Sequence, residues 1–226
     1  MLYHAVVINI RSIALAFALA PFALAQSDNS AARVVEPPPP KPGVVGQLVA
    51  QIEGVPTGSP ARPEHFSEFL LSTVGPVPIL GEAAGAGISQ WINSPEEWGQ
   101  GWDAFGKRFV SNLAYNGIRQ TVTYSSSLAL HEDNRYFASG QTGFWPRTRH
   151  ALVSTFTARH SNGRDSFSVS STSGVIAAAA ISNTWAPDNR RGPGNIAANA
   201  AFSFASTAAF NVVREFLPGL LRRNRQ

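Results

Sequence analysis

Two stretches of 22 residues, Ser166 to Pro187 and Gly192 to Val213, carry no charged side chain, and only Asp188-Asn-Arg-Arg191 separates them. A helix of that length rises about 33 Å, close to the thickness of a bilayer's hydrocarbon core. Read as helices, the two arms form an antiparallel hairpin. Gly174, Ala177 to Ala180, Ala197-Ala198, Ala200-Ala201 and Ala208-Ala209 supply the small residues that let helix backbones approach closely. Polar residues oppose insertion: Ser and Thr dominate Ser166 to Ser173, and Asn195, Asn199 and Asn211 punctuate the second arm. A buried amide needs a hydrogen-bond partner in lipid as in a protein core. The sequence therefore favours a compact helical bundle over a transmembrane hairpin.

Charged residues make up only 14% of the chain, against about a quarter in an ordinary globular domain. Such a chain either packs its elements very closely or keeps part of its surface out of water. It holds no cysteine, so stability comes without disulfides and thiol chemistry is absent. The formal net charge is only +4, and basic residues gather in Arg222-Arg223-Asn-Arg225. A short basic tail fits solubility or an anionic membrane surface, and no nucleic-acid partner is expected.

The N-terminus has the form of an export signal. Arg11 precedes the uncharged run Ile13 to Ala25, which ends in the small-x-small pattern Ala23-Leu24-Ala25 before polar Gln26-Ser-Asp-Asn-Ser30. Residues 1–25 are expected to be removed. Residues 26–62 read as a flexible leader, because Pro37 to Pro40 with Lys41-Pro42-Gly43 favours extended polyproline II. Residues 44–52 are expected to hold a short strand or helical turn. A helical domain is expected over residues 63–221, followed by the basic tail 222–226.

Within that domain the apolar periodicity is helical. Phe66, Phe69, Leu70 and Val74 recur on one side until Gly75-Pro76 stops the run. A second helix is expected from Ile79 to Trp91, with Leu80, Ala84, Ile88 and Trp91 in one stripe and Gly81 and Gly85 in a GxxxG step. Ser94-Pro95-Glu96-Glu97 has the form of a capping box, with Pro95 at the first helical position. Trp98, Trp102, Phe105 and Phe109 then share one face, expected to be core. The pattern runs on to Leu130, with a break expected at Gly117. A polar connection over residues 131–146 leads to a helix from Arg147 to Arg159. The fold class expected is all-α: five to seven helices packed through Gly and Ala after an extended leader.

Catalytic signatures are absent: there is no metalloprotease HExxH, nucleophile elbow or Walker loop, and nothing calls for a cofactor. His131-Glu132-Asp133 is the densest titratable cluster, and with His150 it supplies the candidate catalytic residues. The simpler reading makes His131 a helix C-terminus complementing the dipole, followed by a turn held by an Asp/Arg pair. A zinc site from His131, His150 and His160 has no diagnostic spacing, and no metal is expected. Candidate binding residues are Trp98, Trp102, Arg135, Tyr136 and Trp145.

The runs Asn93-Ser-Pro-Glu-Glu-Trp-Gly-Gln-Gly101, Phe105-Gly-Lys-Arg-Phe109 and His131-Glu-Asp-Asn-Arg-Tyr-Phe137 resemble those of a group of exported bacterial proteins with no assigned activity. The resemblance covers residues 66–217, including a turn from Gly163 to Phe167 and a closing segment from Asn211 to Phe216. It implies one domain and an envelope address, and transfers no ligand or activity. The expectation is an exported protein of the periplasm or outer membrane, acting through a membrane surface, another envelope protein or a second copy of itself. The alternatives are a hydrolase using His131, Glu132 and Asp133, or a carrier with an aromatic-lined cavity.

Overall fold

The computed structural model describes residues 52–223. The expected signal peptide, nearly all of the 44–52 element, most of the leader and residues 224–226 lie outside the described residues. The fold is largely α-helical. Its elements are α1 (Phe66–Val74), α2 (Pro76–Trp91), a 3-10 turn (Glu96–Trp98), α3 (Trp102–Leu130), β1 (Glu132–Asp133), α4 (Phe144–Val153), β2 (Thr157–His160), β3 (Asp165–Phe167), α5 (Val169–Ser182), a second 3-10 turn (Asp188–Arg190) and α6 (Pro193–Arg223). The 29-residue α3 is about 43 Å long and forms the spine. It packs against α1, α2 and α5, while α6 packs against α4 and α5.

Gly75, in extended conformation, ends α1 at Val74 as expected, and α2 begins at once with Pro76 at its first position rather than at Ile79. Proline has no N–H, so the Ser72 carbonyl four residues earlier loses its helical donor. The spine replaces it: Gln120 Nε2 donates to Ser72 O at 3.2 Å, and Asn116 Nδ2 donates to Thr73 O at 3.1 Å. Thus amides on α3 repair the carbonyls freed at the kink.

The capping box does not form. Ser94–Pro95 is a cis peptide, and α3 starts only at Trp102, after Gly99 and Gly101 at positive φ. The carbonyls of this turn are taken by the Arg108 side chain, which is 2% exposed. Its Nε donates to Ser94 O at 2.9 Å, Nη2 to Pro95 O at 2.9 Å, and Nη1 to Gly99 O at 3.0 Å and to Gln90 Oε1. The expected aromatic core face is also corrected. Trp98 lies on the 3-10 turn, Trp102 is 88% exposed, and the buried face of α3 is instead Ala104, Arg108, Asn116, Gly117 and Ser127. No break occurs at Gly117, which is buried inside the helix.

The all-α expectation missed a three-stranded antiparallel sheet in the order β1-β2-β3. The fourth helix starts at Phe144 and ends at Val153, not Arg159. Residues 157–160 pair instead with 165–167, joined by a turn whose Gly163 has φ 76°. Asn162-Gly163 is a common hairpin signal. The domain also begins before residue 63. Val55 N donates to Tyr136 O at 2.7 Å, Ala138 N to Val55 O at 2.9 Å, and Arg62 N to Asp133 Oδ2 at 3.0 Å. The last part of the expected leader is therefore folded onto residues 133–138.

Burial is distributed unusually. The buried apolar residues are mainly alanines (Ala86, Ala104, Ala151, Ala158, Ala178, Ala179) with Val175, Tyr136 and Phe137. Arg108 heads the largest fully buried side chains. Large apolar groups face outward, among them Leu80, Ile88, Trp91, Val110 and Phe202. The stripe Leu80, Ala84, Ile88, Trp91 is thus an outer face, while Ala86 and Gly85 turn toward α3.

Candidate functional site

The segment His131 to Ser139 links the end of the spine to four other parts of the fold. His131 closes α3 in the left-handed conformation (φ 56°, ψ 40°) and is exposed. Its backbone N–H reaches Ser127 O.

Glu132 points away from His131 to the start of α5. Its carboxylate accepts from Val169 N at 3.1 Å, Ser170 N at 2.9 Å and the Ser170 hydroxyl. The positive end of the α5 dipole favours an anion there. Ser168, the N-cap of α5, accepts from Ser171 N and donates to Asn134 Oδ1 at 2.6 Å; Asn134 Nδ2 donates to Ser170 Oγ at 2.7 Å. His160 Nε2 lies 3.9 Å from the carboxylate. Burial acts to raise the Glu132 pKa, but the bonds from Ser170 and Val169, with His160, outweigh it and hold the group below the usual carboxylate range. A depressed acid adds stability above its unfolded pKa, and this is lost as pH falls through the lower folded value. Glu132→Gln is therefore expected to cost about 2 kcal/mol at pH 7 by weakening charged hydrogen bonds. The difference should shrink as acid protonates the wild-type carboxylate, which thermal unfolding from pH 7 to 3 would measure.

Asp133 is buried and engaged separately. Arg135 Nε donates to its Oδ1 at 2.9 Å and Nη2 to its Oδ2 at 2.6 Å, while Arg62 N also donates to Oδ2. The guanidiniums of Arg135 and Arg159 lie over the Phe137 ring, 5.6 and 3.9 Å from its centroid. Near Asp133, Glu64 is half-buried. Its desolvation and the negative charges of Glu68 and Asp133 push its pKa up to about 7. A raised acid favours folding as pH falls through that value and opposes it above. Glu64→Gln should raise Tm at pH 8 and change it little at pH 5.

Tyr136 joins this segment to α6, donating to Glu215 Oε2 at 2.6 Å. Ser139 N and Oγ donate to the same carboxylate, and Arg147 Nε donates to Oε1 at 3.0 Å. Burial, then the bond to Glu215, pushes the Tyr136 phenol above its ordinary range, so it stays a donor. His150 Nε2 sits 2.9 Å from Phe137 O, with its ring edge-on to Tyr136 at 6.0 Å. The space near Arg135, Phe137 and His150 is about 10 Å³, about the size that holds one water.

The structure thus brings Glu132, Asp133, Arg135, Tyr136 and His150 into one polar region, where Asp133 pairs with Arg135 while Glu132, Tyr136 and His150 each go to other partners. His131 turns away. Among the described residues no group of three His, Asp or Glu is arranged to hold a metal ion. Trp98, Trp102 and Trp145 lie elsewhere: Trp98 borders an open depression of about 590 Å³ with Trp185, Glu97 and Arg191, while Trp145 is 77% exposed on α4. Sequence reasoning missed Arg108, Ser168, Ser170 and Glu215. Glu215 left a signal, as an acid beyond a long uncharged run. Ser168 and Ser170 left none, because serine is unremarkable at a helix start. Compared with known proteins, the chain matches no family model, no curated sequence and no solved structure.

Proposed function

We propose that this chain is exported and built into the cell envelope as a membrane-embedded helical bundle, packed through Gly and Ala, with a structural or interaction role. The observation that carries this reading is the inverted burial: alanine and hydrogen-bonded polar groups inside, large apolar groups outside. A soluble domain gains most of its stability by the opposite arrangement. In lipid the outward apolar surface is solvated, and close packing with side-chain hydrogen bonds holds the helices together.

Two segments have the length and an apolar enough 18-residue stretch to cross a bilayer: residues 66–91, whose stretch has mean hydropathy 1.3, and 193–218, with 1.4. Their apolar windows are only 17% and 11% buried, whereas the core helix of a soluble protein is mostly covered. This changes the hairpin expected from the sequence. The first uncharged arm contains only the 14-residue α5, whose Ser170, Gly174, Val175, Ala178, Ala179 and Ser182 are buried. The repair of the Pro76 kink by Asn116 and Gln120 also suits lipid, where water cannot satisfy freed carbonyls. The segment from His131 to Ser139 acts as a fastener, and no geometry there favours a hydrolase.

Fractionation of the tagged full chain tests the reading. It is expected to stay with membranes through both high-salt and carbonate washes. Release by either wash overturns it and points to a second copy or another protein as the cover for these faces.

A further inference from the structure

We infer that the bundle lies across the bilayer with its tryptophan-rich end at one headgroup layer, while the sheet, residues 55–62 and the Glu215 end of α6 share the opposite side. This rests on the membrane reading above and adds depth and topology to it. Four of the five tryptophans meet at one end of the fold: three lie within residues 91–102, and Trp185 joins them from far along the chain. Trp91 ends α2, Trp98 lies on the 3-10 turn, Trp102 begins α3, and Trp185 follows α5. Hydrogen bonds hold these parts together. Gln100 Nε2 donates to Gln90 O at 2.9 Å, Gln90 Nε2 to Gly101 O at 3.2 Å, Arg190 Nη1 to Ser94 Oγ at 3.2 Å, and Asn189 Nδ2 to Glu97 Oε1.

Trp91 and Trp102 point outward, 86% and 88% exposed. An indole has an apolar body and one N–H donor, which suits the boundary between acyl chains and headgroups. Six charged groups at this end form three ion pairs, Lys107–Asp103 at 2.6 Å, Arg191–Asp188 at 2.8 Å and Arg190–Glu97 at 3.8 Å. Paired ions are suited to the headgroup layer, where isolated charges at the hydrocarbon edge are costly.

A second aromatic group marks the other boundary. Phe144 and Trp145 are exposed on α4, and the Phe144 ring lies 5.5 Å from that of Phe216. Arg147 covers the Phe216 ring at 4.2 Å. From Pro193 to Phe216, α6 rises about 35 Å, which spans the hydrocarbon core and enters both interfaces. Chain direction then sets the topology. The α1–α2 segment runs toward the tryptophans, α3 runs back, α5 returns toward them, and α6 runs back again. The residues before α1 and the end of α6 therefore lie beside the sheet, where Val55 bridges Phe137 and Tyr136 bonds Glu215.

The chain has no cysteine, so single introduced cysteines report location directly. Ser161→Cys marks the sheet hairpin, Gln100→Cys the tryptophan end and Ala205→Cys the middle of α6; all three positions are exposed. Full-length variants in spheroplasts would be treated with a membrane-impermeant maleimide, before and after lysis. The expected result is labelling of Ser161→Cys and Gln100→Cys from opposite sides, with Ala205→Cys protected throughout. Labelling of both end positions from the same side, with Ala205→Cys protected, overturns the topology and leaves the membrane reading standing. Free labelling of Ala205→Cys overturns both. For depth, Trp145→Phe leaves the four clustered tryptophans as the reporters. A nitroxide lipid labelled near the headgroup should quench them at least about twofold more than one labelled near the acyl terminus. Equal or inverted quenching places the tryptophans away from the interface and overturns the assignment.

Discussion

Replacing Gly174 with valine is expected to destabilise the protein by about 3 kcal/mol or more, the size of severe overpacking at a helix contact. Gly174 lies on the buried face of α5 where that helix crosses the spine. A Cβ built there would stand 2.7 Å from the Arg119 carbonyl oxygen and 3.2 Å from the Thr123 nitrogen. Both are backbone atoms of α3, so no rotamer change relieves the clash; the helices must separate. Alanine should cost about 1–2 kcal/mol, because its helix propensity, better by about 1 kcal/mol, offsets part of the strain. Gly106 on α3 is the control, since its added Cβ would meet nothing within 4 Å. Gly106→Ala is expected to stabilise by about 0.5–1 kcal/mol. Thermal unfolding of the detergent-solubilised chain reads all three, and a tolerated Gly174→Val would show that α3 and α5 are not in backbone contact.

Arg108→Ala is expected to cost about 3–5 kcal/mol, comparable with leaving buried polar partners uncompensated. The guanidinium satisfies carbonyls of residues 94, 95 and 99 and the Gln90 amide at once. Removing it opens a cavity beside unpaired acceptors. Arg108→Lys should recover only part of the loss, because an ammonium lacks the planar fork that reaches both sides of the turn. Arg108→Met fills the space but satisfies no acceptor, so it should behave more like alanine than lysine. The order wild type, Lys, then Met and Ala in Tm, with protease cleavage appearing in residues 93–101 in the same order, is the expected outcome. A Met variant as stable as wild type would mean the carbonyls find other donors.

Much of the helical skeleton was legible because it depends on local chemistry. Apolar spacing located α1, α2 and α3, and the Asp/Arg pair after a helix end was readable at His131 to Arg135. Three features were not local. The sheet needs strands of two to four residues, which are too short to show a period, and the Asn162-Gly163 turn acquires meaning only when its arms pair. The start of α3 moved because Arg108, fourteen residues beyond Ser94, captured the carbonyls of the turn. Most important, the inward face was misread. A stripe of large apolar residues and the opposite stripe of Ala, Gly, Asn and Arg have the same helical period, so periodicity locates both and says nothing about which one meets the protein. Side-chain size and partner decided that choice. Gly174 allows α5 to contact the α3 backbone, Asn116 and Gln120 find the carbonyls freed by Pro76, and Leu80, Ile88, Trp91 and Trp102 are left outside. Residue types and spacing were enough to make helices, but only their packing against one another decided which faces became the interior.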